Sequence, residues 1–192
     1  MIPLAFGLVV GVALLLIVRE ARGSAAPQAP ALAPESSPFS FSFPSIGDEM
    51  PSSSHPSWSP PLAASPYLFA IGQAERAYGL PSMLLARVLH QESRFRPDVI
   101  DGRTRSPAGA VGIAQFMPAT AAELGVDPLN PWQSIEGAAR YLAQLYARFG
   151  NWSEALGAYN WGQGNVSRRG LASAPAETRA YYSEILSDVG LA

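Results

Sequence analysis

The last two thirds of this 192-residue chain predict an all-α domain, and three observations carry that prediction. Apolar residues recur at helical spacing from about Pro66 to Ala192. Glycine and proline punctuate the segments between them, and no convincing strand pattern interrupts the series. Ser65-Pro66 is a helix start, and that helix runs to about Tyr78 before Gly79 stops it. Pro81 opens the next segment, where Leu84, Leu85, Val88 and Leu89 fall on one apolar stripe. Pro118 to Leu124 reads as a short helix closed by Gly125. Asn130-Pro131 caps a longer one, with Ile135, Leu142, Leu145 and Phe149 on one face and Gly150 as its stop. A short helix from Ser153 to Tyr159 follows. The last runs from about Pro175 to Val189, with Tyr182, Ile185, Leu186 and Val189 expected as its core stripe.

The residues upstream differ in kind. Residues 24–65 are rich in Pro, Ser and Ala, with few branched aliphatics and no helical period. Such a composition cannot bury enough surface to fold alone, so this stretch reads as a disordered linker. A flexible chain of that length averages roughly 35 Å end to end and extends to about 130 Å. Its one unusual feature is the Phe39-Ser-Phe41-Ser-Phe43 island, an alternating pattern that a docking segment would also show. Residues 1–23 hold an apolar run to Val18, closed by Arg19, Glu20 and Arg22. Eighteen residues reach the lower edge of a membrane-spanning helix. A signal segment cleaved near Ala25 or Ala26 is the alternative, although no basic stretch precedes the apolar run. The domains expected are therefore 1–23, an anchor or signal segment; 24–65, a linker; and 66–192, the folded unit.

Composition narrows the chemistry. A formal charge of −2 and a charged fraction of 15 % give no footprint for nucleic acid. The chain has no cysteine, which removes disulfides, thiolate metal sites and a cysteine nucleophile. Two histidines, His55 and His90, are too few for a histidine-based metal centre, so neither metal nor cofactor is expected. His90, two residues before Glu92, points off that residue's face and reads as structural.

Glu92 is the residue on which chemistry can rest. It lies three residues after Leu89 and seven after Leu85, on their stripe. Arg96-Pro97 must end the helix, which leaves Glu92 in its last turn. Apolar surroundings and the negative end of the helix dipole both favour the protonated carboxyl, the form a general acid needs near neutrality. A solvated ion pair with Arg94 or Arg96 is the plain alternative. Gly109-Ala-Val-Gly112-Ile-Ala-Gln115-Phe-Met117-Pro118 follows as a loop entering a helix. Its glycines let backbone approach a ligand, and its amide can donate and accept toward sugar hydroxyl or acetamido groups. A phosphate loop is excluded, because Gly-Lys-Ser/Thr and a preceding strand are both missing. Ala158-Tyr159-Asn160 then offers a phenol able to reach Glu92 and an amide able to bind an N-acetyl group. A core tyrosine with a helix-stop asparagine would look the same. Trp132, Trp152 and Trp161 are possible stacking platforms, with packing the simpler role for the first two.

In this order, His90-Gln91-Glu92-Ser93-Arg94-Phe95, the glycine-rich loop and Ala158-Tyr159-Asn160 resemble the soluble-lytic-transglycosylase-like catalytic domain. Enzymes of that family are lysozyme-related and cleave peptidoglycan glycan strands. The resemblance spans about Tyr78 to Tyr182. It implies a lysozyme-like fold, Glu92 as catalytic acid, and Ser93, Gln115, Met117, Tyr159 and Asn160 as substrate-binding residues. Glu177-Thr178-Arg179-x-Tyr181 resembles the family's closing motif, which brings Tyr181 to the border of the cleft. One departure is the segment from Arg96 to Arg105, longer than the family connection and carrying Asp98 and Asp101 as candidates for a second carboxylate.

The resemblance implies a non-hydrolytic cut between MurNAc and GlcNAc, with one glutamate as acid then base and a 1,6-anhydro product. A goose-type-lysozyme-like hydrolase is the runner-up, because hydrolysis normally needs two placed carboxylates. An idle, membrane-tethered glycan-binding or assembly module is the alternative of a different class. The partners expected are peptidoglycan strands, a membrane through the N-terminal segment, and a wall-crossing secretion, conjugation or phage assembly. Arg19 and Arg22 would place the C-terminus in the cytoplasm by the positive-inside rule. The enzymatic reading places the domain in the periplasm or envelope, and it outweighs two arginines around a glutamate.

Overall fold

The structure is a computed structural model, and it describes residues 57–192. The apolar run, the Phe39–Phe43 island and the Pro/Ser stretch up to residue 56 lie outside the described residues. Within them the chain is helical, and its one β feature is an isolated antiparallel bridge between Val111 and Phe116. The helices are α1 (Leu68–Tyr78), α2 (Leu84–Ser93), α3 (Pro97–Ile100), α4 (Pro118–Leu124), α5 (Pro131–Phe149), α6 (Trp152–Trp161), α7 (Gln163–Arg169) and α8 (Ala176–Asp188). Short 3-10 turns at Leu62–Ala64 and Leu171–Ser173 precede α1 and α8.

Local chemistry sets these boundaries. Gly79, Gly125 and Gly150 end α1, α4 and α5 in the left-handed region, where the absence of a Cβ removes the usual strain. Asn130 accepts hydrogen bonds from the Trp132 and Gln133 amides and caps α5. Helix α2 starts three residues later than Pro81 suggests. Met83 takes a left-handed conformation (φ 68°) and has no capping side chain. Its place is taken by Glu75 of α1, whose buried carboxylate accepts from the amides of Met83, Leu85 and Ala86 at 3.2, 3.0 and 3.4 Å. An anion at a helix N-terminus satisfies orphan donors and complements the dipole.

Helix α5 packs against α1 and α6, and α8 packs against α6 and α2. Their shared core holds Leu84, Leu85, Leu89, Ile113, Ile135, Leu142, Leu156 and Ile185, all fully or almost fully buried. A smaller cluster of Leu145, Ala155, Ala158 and Val166 supports α6 and α7. Of the stripe expected for α8, Ile185, Leu186 and Val189 are buried, and Tyr182 is not. Thr178 and Tyr181 are buried as well, and Tyr182 is only half-buried. The reason is a hydrogen bond: the Tyr181 phenol has a buried polar partner, described below, which apolar periodicity does not register.

Packing begins upstream of Pro66. Ala64 is fully buried, and the Trp58 amide donates to the Asp188 carbonyl at 3.3 Å. The Trp58 indole lies 5.5 Å from the His90 ring and beneath the Arg87 guanidinium at 5.8 Å, and Arg87 pairs with Asp188 at 2.7 Å. These residues strap the end of α8 to the middle of α2. Trp132, expected to be buried, is 52 % exposed and rests against Tyr67 beside an apolar groove between α1 and α5. Trp152 stacks on Tyr146. Among the described residues no helix is long and apolar enough to cross a membrane.

Candidate active site

Helix α2 carries Glu92 in its last turn and then stops abruptly. Arg94 and Phe95 both take left-handed conformations, with φ of 51° and 54°. The Ser93 hydroxyl donates to the Leu89 carbonyl at 3.0 Å and accepts from the Phe95 amide at 3.2 Å. This pins the helix end while Phe95 turns into the core. Ser93 is thereby 2 % exposed and borders no cavity, unlike the other residues expected at the site. Glu92, Gln115, Met117, Tyr159 and Asn160 line one cavity of about 580 Å³. Tyr181 borders a second, of about 270 Å³, which also meets Glu92.

The glycine loop forms one wall of the larger cavity. Val111 and Phe116 exchange backbone hydrogen bonds at 3.2 and 3.1 Å and close the loop. Gly112 sits at φ 80°, and a Cβ there would lie 1.8 Å from the Pro128 carbonyl oxygen, so no side chain fits. Gln115 takes φ 48°, and its amide donates to the Gly112 carbonyl at 2.9 Å. That bond ties the Gln115 side chain to the loop at the cavity wall and leaves its side-chain oxygen as an acceptor. Met117 is 41 % exposed at the rim, immediately before Pro118 opens α4.

Two tyrosines divide the work differently from the sequence reading. The phenol expected to reach Glu92 was that of Tyr159, but its hydroxyl donates to the Ala114 carbonyl at 3.1 Å and buttresses the glycine loop. Tyr181, from α8, donates to the Glu92 carboxyl at 2.7 Å. Burial raises both phenols well above their ordinary range, with the nearby Glu92 carboxyl adding to the shift, so both remain protonated donors. Asn160 is fixed by Thr178, whose hydroxyl donates to the Asn160 side-chain oxygen at 2.8 Å. Asn160 lines the cavity, and its side-chain nitrogen remains a donor there.

Burial pushes Glu92 up to about 7, against the opposing effect of the Tyr181 hydrogen bond. The arginine alternatives do not hold: Arg96 pairs with Asp98 at 2.6 Å, and Arg94 is exposed. The carboxylates of the longer Arg96–Arg105 segment line neither cavity that meets Glu92. Asp98 is bound by Arg96 and Thr104, and Asp101 by Arg103. The second carboxylate that does face the cavity is Glu177, from the first turn of α8. Sequence reasoning placed it in a motif without giving it a site role. Tyr141 of α5 and Thr120 of α4 also line the cavity and carry no motif. Trp161 lines it too, with the Arg169 guanidinium 5.9 Å from its ring.

A half-buried acid, protonated near neutrality and hydrogen-bonded at the base of an amide- and aromatic-lined cleft, is equipped to donate a proton to a saccharide bridging oxygen. Comparison with known proteins agrees in kind. The transglycosylase SLT domain family matches residues 69–181. A transglycosylase of Enterobacteria phage PRD1 is 36 % identical over 122 residues, covering 63 % of this chain and 42 % of that protein. The membrane-bound lytic murein transglycosylase F 2 of Alkalilimnicola ehrlichii is 39 % identical over 102 residues, covering 49 % of this chain and 22 % of that protein. Among solved structures, the 70 kDa soluble lytic transglycosylase of Escherichia coli superposes with a TM-score of 0.54 at 27 % identity. That match covers 64 % of this chain and 23 % of the E. coli enzyme. The chain thus spans less than half the length of these relatives.

Proposed function

The chain belongs to the transglycosylase SLT domain family, and from that premise we propose that it is a peptidoglycan lytic transglycosylase with Glu92 as its catalytic acid. The observation that carries this reading is the state of Glu92, held near 7 by burial and bonded to Tyr181 where two cavities meet. Protonated Glu92 gives its proton to the bridging oxygen of the leaving GlcNAc as the bond from MurNAc C1 breaks. The carboxylate then takes the proton of the C6 hydroxyl on the same MurNAc, and that oxygen bonds C1. The product is a 1,6-anhydro end, Glu92 is again protonated, and no water is consumed.

The remaining residues serve this sequence. Tyr181 holds the carboxyl in one rotamer and stabilises its charged form after the first proton transfer. Gln115 and Asn160 hold hydroxyl and acetamido groups, and Met117 packs on a sugar face at the rim. Tyr159 keeps the glycine loop at its working distance. Ser93 is a positioning residue, acting through the end of α2.

Hydrolysis is the second reading, and one observation favours it: Glu177 lines the same cavity and could activate a water. The site of action is the cell envelope, through peptidoglycan as substrate. One relative is named as membrane-bound and another is a phage enzyme, which agrees with an envelope role, and the apolar run at residues 1–18 supplies an anchor or export signal.

Glu92→Gln tests the assignment. The change is nearly isosteric and removes only the transferable proton, so wall lysis should fall at least about a hundredfold with the helical signal unchanged. Turbidity clearing of purified sacculi measures it, and a folded variant of near wild-type activity would refute the site.

A further inference from the structure

We infer that this chain cuts glycan strands internally, with Glu92 inside a binding track that has space for saccharide on both sides. The inference rests on the reading of Glu92 as the glycan-cleaving acid and adds where along a strand the cut falls.

Three cavities make up the track. The central one, of about 580 Å³, shares Glu92, Asn160 and Glu177 with the cavity of about 270 Å³ beside the start of α8. Through a different pair of residues, Thr120 and Tyr141, it adjoins a cavity of about 340 Å³ between α4, α5 and the start of α7. Shared lining residues set the three side by side, and Glu92 itself borders both the central cavity and the first flank. The central volume is that of an ordinary small-ligand site. It accommodates the reacting linkage, and each flank adds room for a further sugar.

The chemistry of the flanks fits the same ligand. Gln91 and Glu184 end the track on the α8 side. Glu123, Arg140, Gln144 and Gln163 line it on the other. Amide, carboxylate and guanidinium groups exchange hydrogen bonds with hydroxyl and acetamido groups without needing a charged ligand. The apolar groove between α1 and α5, with Phe69, Trp132 and Ile135, shares no lining residue with any of the three and lies off this track.

A strand filling both flanks gains contacts that a strand end, filling one, does not. Binding energy from sugars remote from the reacting bond lowers the barrier when it is realised in the transition state. Internal linkages are therefore cut in preference to terminal ones.

The test uses the full chain and long, peptide-stripped glycan strands, with product lengths followed by chromatography and mass spectrometry from the earliest time points. Strands of intermediate length should appear before terminal disaccharide accumulates. Two bulky substitutions at exposed positions, Ala180→Trp on one flank and Gln144→Trp on the other, should each lower kcat/KM on long strands about tenfold while leaving the fold intact. Disaccharide released from the outset, while the remaining strands keep their length, overturns this inference and leaves the assignment of Glu92 standing. Both Trp variants cutting at the wild-type rate with unchanged product lengths would also overturn it. No cleavage of any strand by folded wild-type protein refutes the assignment of Glu92, and the inference with it.

Discussion

At Glu92 two effects compete for one proton. Burial disfavours the carboxylate, and the hydrogen bond from Tyr181 favours it; burial is the larger, and the group rests near 7. The consequence for stability has a definite sign. The folded-state value lies above the ordinary 4.5, so folded protein binds more protons than unfolded protein between about 4.5 and 7. Stability is lost as pH rises through that window, and the full penalty is present above it. Discounted for the part of the side chain that solvent reaches, the penalty is on the order of 1–3 kcal/mol. Glu92→Gln removes it. Urea unfolding should therefore show the variant gaining on wild type by that amount between pH 4 and pH 8. An equal difference at both pH values would mean that Glu92 is not held protonated by its surroundings. The acid itself was legible in the sequence, since its place on the Leu85–Leu89 stripe predicts desolvation. The tyrosine that reaches it was not: Tyr159 and Tyr181 both stand in motifs, and only the crossing of α8 over α2 decides between them.

The loop and helix ends that carry the site are set by a few backbone contacts. Gly109 and Gly112 both take positive φ, 90° and 80°, yet they face different surroundings. A Cβ at Gly109 meets nothing within 4 Å, whereas one at Gly112 collides with the Pro128 backbone. Gly109→Ala should thus cost only the conformational penalty, about 1 kcal/mol, and Gly112→Ala about 3 kcal/mol or more, with loss of activity as the loop moves. Denaturant midpoints of the two variants measure the difference, and equal midpoints would contradict the close approach. The boundaries of α4 and α5 were readable because Pro, Asn and Gly act locally. The start of α2 was not, because its cap comes from Glu75 on another helix. The four-residue α3 and the seven-residue α7 escaped because segments that short carry too little periodicity to register, and neither has both the opening proline and the closing glycine that mark α4.

Across the whole molecule, the all-α class and the order of the long helices follow from apolar periodicity, and the cleft follows from how those helices cross. Glu177, Tyr141 and Thr120 come from three separate helices and share no spacing, so only the assembled fold makes them neighbours of Glu92. The N-terminal limit of packing is similarly a tertiary property. The composition around Trp58 reads as linker, but its indole covers His90 and its amide joins Asp188. A fragment beginning at residue 57 should be more stable than one beginning at residue 66 by about 2–4 kcal/mol, the scale of losing one half-buried indole and its neighbours. Thermal unfolding of the two fragments decides this, and coincident transitions would show that the Trp58 strap contributes nothing.

The most direct measurement concerns the chemistry of the cut end. Purified sacculi are digested with the protein in heavy-oxygen water, and the new muramic ends are analysed by mass spectrometry. A single acid serving as donor and then acceptor predicts 1,6-anhydro ends with no incorporated label. Labelled reducing ends would contradict it, showing that water attacks C1 and that a second carboxylate, Glu177 first among them, acts beside Glu92.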